Sequence, residues 1–105
     1  MRAYKAFDYD WTCNGFQYKV GEEYTFDGEI SICKSGFHAC KELKDCFKYY
    51  SCVGWNKFAE VEILGEVLTY DKDSKVVTNR IKIINALLPV EEVQRRIRCL
   101  VDSIL

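Results

Sequence analysis

Three residues that bind metals lie within one eight-residue segment of this chain, namely Cys33, His38 and Cys40. Zinc accepts thiolate sulfur and imidazole nitrogen in a tetrahedral shell. Three ligands from one loop cannot close that shell, and Cys13 is the best candidate for the fourth because it begins a turn with Gly15. The spacing leaves two interpretations open: a Cys3His zinc site, or small buried thiols beside a surface histidine.

The six cysteines among 105 residues fall below the density typical of a disulfide-built scaffold. The first residues lack the apolar core of a signal peptide, and no apolar run approaches the ~20 residues that span a bilayer. We therefore expect the protein in the cytoplasm, where clustered cysteines more often hold a metal or stay free than form disulfides. A domain of this size also needs an added stabilising element, and a metal is the expected one.

Length and charge limit the possible functions further. The size predicts a single domain over residues 1–105. Fifteen Lys and Arg against sixteen Asp and Glu give a formal net charge of −1. Proteins that hold nucleic acid through its phosphates carry a basic excess, and a mimic of DNA needs a large acidic one. The composition therefore predicts neither direct nucleic-acid binding nor DNA mimicry.

Alternating apolar and polar residues predict an antiparallel sheet. We expect a hairpin at Asp27-Gly28, because this dipeptide favours a tight turn, and a strand from Phe58 that continues past a bulge at Gly65 to Tyr70. The predicted strands are residues 4–8, 16–20, 24–26, 30–33, 58–70 and 75–84.

Two helices complete the expected fold. Leu43, Phe47 and Tyr50 recur at helical spacing and predict a short helix. Pro89 predicts the start of a long C-terminal helix over residues 89–105, whose wide apolar face we expect to pack on the sheet of the same molecule, so that the protein is a monomer. The predicted fold class is α+β: an antiparallel β-sheet with a short helix and a long C-terminal helix, stabilised by zinc.

An ordered series of short segments between about residues 4 and 84 resembles a small, mostly uncharacterised domain of phages and prophages, sometimes found in front of pentapeptide repeats. The segments are Tyr4-Lys5-Ala6-Phe7-Asp8, Cys13-Asn14-Gly15-Phe16-Gln17-Tyr18, Gly28-Glu29-Ile30, Cys33, Gly36-Phe37-His38-Ala39-Cys40, Tyr49-Tyr50, Phe58-Ala59-Glu60-Val61-Glu62 and Asp73-Ser74-Lys75.

The resemblance implies one structural zinc ion held by Cys13, Cys33, His38 and Cys40, because the family pattern carries matching cysteines and a histidine. It does not ask for cysteine at positions 46, 52 and 99, although Cys46 or Cys52 could replace a proposed ligand. A free-standing chain of this length also looks like the small metal-containing anti-CRISPR proteins that act on the Cas9 class.

The residue types argue against catalysis. Three thiolates and one imidazole close a zinc shell, which is typical of a structural site. A nucleophilic Cys–His pair is the other enzymatic interpretation, but metal-bound groups cannot serve as nucleophile and base. No Gly-rich phosphate loop and no dinucleotide fingerprint is present. We therefore predict that the protein is not an enzyme.

The resulting prediction is a phage anti-CRISPR protein in the cytoplasm of a bacterial host, which binds a type II Cas nuclease and blocks target-DNA loading. Trp55, in an expected loop, is the candidate partner-binding residue, because aromatic side chains anchor protein interfaces. One alternative is an anti-defence protein that sequesters a nucleotide signal, which would need a polar pocket with cationic groups. Another is a non-catalytic interaction module of the phage particle.

Overall fold

A computed structural model describes residues 1–51 and 55–87. Within these ranges the chain forms nine strands and one four-residue helix. They are β1 Arg2–Phe7, β2 Thr12–Cys13, β3 Phe16–Gln17, β4 Glu23–Thr25, β5 Phe37–Cys40, α1 Leu43–Cys46, β6 Lys57–Ile63, β7 Val67–Thr69, β8 Lys75–Thr78 and β9 Arg80–Ala86.

Seven strands form one sheet in the order β4-β9-β6-β1-β5-β8-β7, and β2 pairs with β3 in a separate hairpin. All the pairings between these strands are antiparallel. The central contact is β1 with β6, in register from Arg2 opposite Glu62 to Phe7 opposite Lys57. In this part of the chain no helix is long and apolar enough to cross a membrane.

The sheet has to curl, because β8 and β9 are joined by Asn79 alone although three strands lie between them in the sheet. One residue spans only about 3.8 Å between successive Cα atoms. The ends of β8 and β9 therefore meet, and the five strands from β9 to β8 wrap around an enclosed interior. The Phe26 N–H donates to the Asn79 carbonyl at 2.8 Å and ties the start of the next segment to this corner.

The alternation of side chains along β1 separates two cores. Its inward residues, Ala3 and Phe7, belong to the enclosed cluster, while Ala6 packs on the outer face beneath α1. The enclosed cluster is Ala3, Phe7, Tyr18, Phe37, Ala39, Ala59, Val61, Ile63, Val76, Ile81 and Ile83. The outer cluster is Ala6, Cys40, Leu43, Cys46, Phe58 and Leu87.

The predicted α+β class is wrong for the part of the chain that the structure describes, which is mainly antiparallel sheet. Its short helix, α1, covers only Leu43–Cys46 and begins at Glu42 without a side-chain cap. A helix this short gains little from its own hydrogen bonds, so packing of Leu43 and Cys46 on the outer core sustains it. The predicted long helix over residues 89–105 lies outside the described residues.

The predicted hairpin at Asp27-Gly28 is also wrong. β4 pairs with β9 instead of with the residues that follow this turn. Cys33 has a φ of 66°, in the left-handed region that strands do not use. Its segment forms a compact turn closed by the Ser31–Ser35 bridge.

Three further differences concern strand ends. The strand predicted over residues 16–20 is only β3, Phe16–Gln17. The strand that begins near Phe58 stops at Ile63, and β7 pairs with β8 as a separate strand. The stretch predicted as one strand over residues 75–84 is β8 and β9, divided at Asn79.

Candidate functional site

A cleft opens where β1 and β5 diverge. The two strands are neighbours in the sheet, but their pairing is limited to Tyr4 opposite Cys40. Beyond this point the Lys5 ammonium donates to the His38 carbonyl at 2.6 Å and bridges the gap with a side chain instead of a backbone bond. The cleft has a volume of about 940 Å³.

All four predicted zinc ligands line this cleft. Cys13 lies in β2 and Cys33 in the turn before β5, while His38 and Cys40 belong to β5. Cys33 is exposed, Cys13 is half-buried and Cys40 is buried, and all three are free thiols. The sequence therefore identified residues that the fold brings to one place.

The imidazole of His38 holds the turn that carries Cys33. Its Nε2 accepts a hydrogen bond from the Cys33 N–H at 2.8 Å. Burial, together with the ammonium groups of Lys5 and Lys75, lowers the pKa of His38 to about 4. At neutral pH the imidazole is therefore uncharged and acts as an acceptor that fixes the backbone of the turn.

The thiol of Cys33 faces a lysine. The Lys75 ammonium lies 2.8 Å from the Cys33 sulfur and packs over the rings of Tyr49 and Tyr70, 4.3 and 4.5 Å from their centroids. Burial opposes the charge of Lys75, but its bonds to Cys33 and Tyr49 outweigh that cost and raise its pKa. Lys75 is only 8% exposed.

On the β1 side, Cys13 is held by Tyr50 and Lys5. The Tyr50 hydroxyl donates to the Cys13 sulfur at 3.2 Å, and the same thiol interacts electrostatically with Lys5. The ammonium lies 5.3 Å from the centroid of the Tyr18 ring, within the range of a cation–π contact. Burial lowers the pKa of Lys5.

The remaining predicted ligand, Cys40, pairs with another cysteine. Cys40 and Cys46 pack in the same outer cluster, and the interaction of their thiols lowers the pKa of Cys40 while raising that of Cys46. The Cys46 sulfur also lies 3.5 Å from the Tyr4 carbonyl oxygen. Cys46 thus joins the site from α1, a placement that spacing in the sequence did not reveal. Cys52 and Cys99 lie outside the described residues.

This arrangement does not form a metal-binding group. Cys13, Cys33, His38 and Cys40 each face a different partner: Tyr50, Lys75, the Cys33 backbone and Cys46 respectively. Within residues 1–51 and 55–87, no group of three or more His, Cys, Asp or Glu side chains is placed to hold a metal ion. The donor types suit zinc, but their geometry here does not, and the zinc site stays a prediction.

The cleft is also lined by positively charged side chains, which the sequence pattern did not predict. Three lysines line it, Lys5, Lys34 and Lys75, against the single carboxylate of Asp8. A signal for Lys5 was present: it occupies the inward position between Ala3 and Phe7 on an otherwise apolar strand face. Alternation places these three residues on one face, but only the structure decides which face of β1 lies inward.

Trp55 lies outside the cleft and is 85% exposed, as expected of a side chain in a surface loop. The other tryptophan, Trp11, is half-buried and packs against Phe7 with ring centroids 5.1 Å apart. A second exposed aromatic residue, Tyr9, is 70% exposed. No signal in the sequence distinguished Tyr9 from the tyrosines that pack in the core.

Residues 1–96 match the model of a family described as Domain of unknown function (DUF7666). No curated protein and no solved structure gives a significant match.

Proposed function

The chain belongs to the DUF7666 family, and we propose that it is a non-catalytic phage protein that binds a host defence protein and obstructs it. The proposed target is an RNA-guided Cas nuclease of the Cas9 class, and the blocked step is loading of target DNA. Support for the phage origin comes from the residue series that resembles a phage domain, and support for this target comes from the likeness to small metal-containing anti-CRISPR proteins. Support for the mode of action comes from an exposed aromatic surface at one end of the sheet.

The observation that carries the proposal is an exposed pair of aromatic residues at one end of the sheet. Phe7 and Lys57 are the last paired residues of β1 and β6 at this end. Tyr9 lies two residues beyond Phe7, and Trp55 lies two residues before Lys57, so both leave the same end of one strand pair. We call Tyr9 and Trp55 the aromatic end. Exposed aromatic residues cost free energy in water and anchor protein interfaces.

The aromatic end stands on an ordered turn that carries negative charge. The Trp11 N–H donates to the Asp8 carbonyl at 3.0 Å, and the Thr12 hydroxyl donates to the Asp10 carboxylate at 2.6 Å. That side-chain bond from Thr12 lowers the pKa of Asp10, which keeps its charge. Cas9-type nucleases hold their guide–target duplex in a positively charged channel, which aromatic and carboxylate groups together complement.

The hydrogen bonds of the thiols favour binding over catalysis. A Cys–His nucleophilic pair needs an imidazole nitrogen directed at the sulfur. In this structure His38 Nε2 accepts from the Cys33 backbone instead, and the Cys33 sulfur faces Lys75. We therefore expect stoichiometric inhibition without turnover.

The test is a titration of the protein into a purified Cas9–guide complex, followed by measurement of target-DNA capture and cleavage. We expect both to fall in proportion to the inhibitor and to reach a minimum near a molar ratio of one. Trp55→Ala and Tyr9→Ala should weaken inhibition by about tenfold or more, since truncation of an interface hot spot costs about 2 kcal/mol or more.

Leu68→Ala is the matched control, because Leu68 is 42% exposed but lies on the edge strand β7. It should inhibit like the parent protein. Unchanged capture and cleavage across several type II nucleases would contradict the proposed target. Inactivation by sub-stoichiometric amounts that grows with time would indicate an enzyme instead. If capture and cleavage are unchanged, two alternatives remain: a protein that sequesters a nucleotide signal, and an interaction module of the phage particle.

A further inference from the structure

We propose that the cleft between β1 and β5 binds a small anion of the nucleotide class, with its phosphate on the lysines and its base on the aromatic walls. We call the site, lined by Lys5, Lys34 and Lys75, the cationic cleft. The proposal is independent of the aromatic end and of the protein partner. It gives the signal-sequestering alternative the cationic pocket that it requires.

The charge of the cleft is the first argument. The whole chain carries a formal net charge of −1, yet the cleft lining has three lysines and one carboxylate, Asp8. Positive charge is therefore concentrated here while the rest of the molecule is acidic. Clefts lined by one sign of charge attract ligands of the opposite sign.

The burial of two of these lysines is the second argument. Lys5 is 4% exposed and Lys75 is 8% exposed. Charged groups are seldom buried unless they are paired. Among the residues that the structure describes, neither lysine forms an ion pair with a carboxylate. An anion in the cleft would provide the missing opposite charge.

The present partner of Lys75 is a weak acceptor. Lys75 bonds the Cys33 sulfur, whereas Lys5 donates to the His38 carbonyl. Sulfur is a poor hydrogen-bond acceptor, whereas a phosphate oxygen forms shorter and stronger charge-assisted bonds. Because Cys33 is exposed, a ligand can displace its thiol from Lys75 without opening the core.

The aromatic walls and the volume favour a ligand with a ring over a bare phosphate. Phe16 and Tyr49 line the cleft and are 45% and 46% exposed, so part of each ring is accessible to a ligand, although the Lys75 ammonium covers one face of Tyr49. Base–aromatic stacking is tolerant of base type. A volume of about 940 Å³ suits a mononucleotide or dinucleotide and greatly exceeds what a phosphate ion fills.

The test is isothermal titration calorimetry of the full chain with four probes: adenosine monophosphate, cyclic di-adenosine monophosphate, inorganic phosphate and adenosine. We expect at least one nucleotide to bind at least tenfold more tightly than either adenosine, which lacks the charge, or phosphate, which lacks the base. Lys75→Met should weaken nucleotide binding at least tenfold, in line with the loss of a charge-assisted hydrogen bond. Lys82 is an exposed lysine on β9 outside the cleft, so Lys82→Met should bind the nucleotide as tightly as the parent protein does.

Circular dichroism of each variant shows whether it folds. If Lys75→Met does not fold, Lys34→Met carries the test, because Lys34 is exposed at the mouth of the cleft. The absence of nucleotide binding below about 1 mM would overturn the proposal. So would equal affinity for adenosine or phosphate, or equal binding by the folded cleft variant and Lys82→Met.

Discussion

The ammonium of Lys75 lies 2.8 Å from the sulfur of Cys33, 42 residues earlier in the chain. Lys75 begins β8, and Cys33 is held in a left-handed turn by the bond from its N–H to His38. The strand and the turn together thus place a cation where a metal ligand was expected. This contact connects the two hypotheses about the cleft, because the same thiol cannot bind zinc and keep its present geometry.

The zinc prediction is tested by metal content. If Cys13, Cys33, His38 and Cys40 rearrange around a metal, elemental analysis should give about one zinc per chain. Removal of the zinc should then unfold the protein, because zinc binding provides ~10–16 kcal/mol of apparent free energy in small metal-dependent folds. Metal-free protein that keeps its full circular dichroism would contradict a structural zinc site.

Cysteine variants assign the ligands. Cys33→Ser and Cys40→Ser should each reduce the zinc content, and Cys46→Ser should not, because Cys46 lies outside the predicted set. If Cys46→Ser loses zinc and Cys40→Ser retains it, then Cys46 is a zinc ligand and Cys40 is not.

Gly36→Ala should destabilise the fold for two separable reasons. Gly36 has a φ of 103°, and an added Cβ would lie 2.7 Å from Val77 Cγ2 and 3.1 Å from the Thr78 carbonyl oxygen. Gly21 has a φ of 93° with no atom within 4 Å of such a Cβ. Gly21→Ala should therefore cost about 1–2 kcal/mol from backbone strain alone, and Gly36→Ala about 1–3 kcal/mol more from overpacking.

Urea denaturation of the two glycine variants measures this difference. Equal costs for Gly36→Ala and Gly21→Ala would show that the turn before β5 adapts to the added methyl group, contrary to the tight packing against β8.

Asp45 should make the stability depend on pH in acid. The Ser74 N–H donates to its carboxylate at 3.0 Å, and Lys48 lies 3.3 Å away. The Ser74 side chain has the largest effect in lowering the pKa of Asp45, and the Ser74 N–H and Lys48 act in the same direction. The folded state therefore favours the carboxylate, so this stabilisation is complete above the unfolded pKa of about 3.9 and is lost as pH falls through the lower folded pKa.

Asp45→Ala should cost about 1–3 kcal/mol at pH 7, because it leaves the Ser74 N–H without this acceptor. Asp45→Asn keeps an acceptor but not the charge, so its deficit relative to the parent should shrink as pH falls below about 4. Urea denaturation between pH 7 and pH 3 measures both. The exposed Asp27→Asn should show neither effect, and a deficit in Asp45→Asn that is constant with pH would contradict the assignment.

Phe7→Ala should strongly destabilise the enclosed core. Phe7 has no exposed surface and packs against Trp11 and Tyr18, with ring centroids 5.1 and 5.3 Å away. Truncation of a buried Phe leaves a cavity and costs about 3–5 kcal/mol. Phe16→Ala, at a side chain 45% exposed, is the control and should cost much less. Thermal unfolding of both variants measures the difference, and similar costs would place Phe7 outside the essential core.

The sequence predicted those strands whose pattern is local. Residues 4–8 and the first part of residues 58–70 alternate strongly, and they correspond to β1 and β6, the central pair of the sheet. Alternation fixes which side of a strand is apolar, so it needs no knowledge of the partner strand. It did not decide which face of β1 lies inward, so the position of Lys5 in the cleft is known only from the structure.

The same local signals misled where long-range pairing decided the outcome. Asp27-Gly28 favours a tight turn, but β4 gains its pairing from β9, more than fifty residues later in the chain. Asn79 carries no strong signal of a break, yet the curl of the sheet divides one apolar stretch into β8 and β9 there. Such contacts join distant parts of the chain, and no window of neighbouring residues contains them.

By itself the sequence determined the strand character of the chain and the identity of the thiols and histidine that would share a site. Cysteine and histidine chemistry is a property of residue type, and alternation is a property of neighbours. The tertiary structure alone decided that β1 and β5 diverge after Tyr4 and Cys40, that Lys5 and Lys75 enter the resulting cleft, and that Cys46 joins Cys40. These outcomes depend on how far two strands stay paired and on how the sheet curls, and both are set by the packing of the whole core.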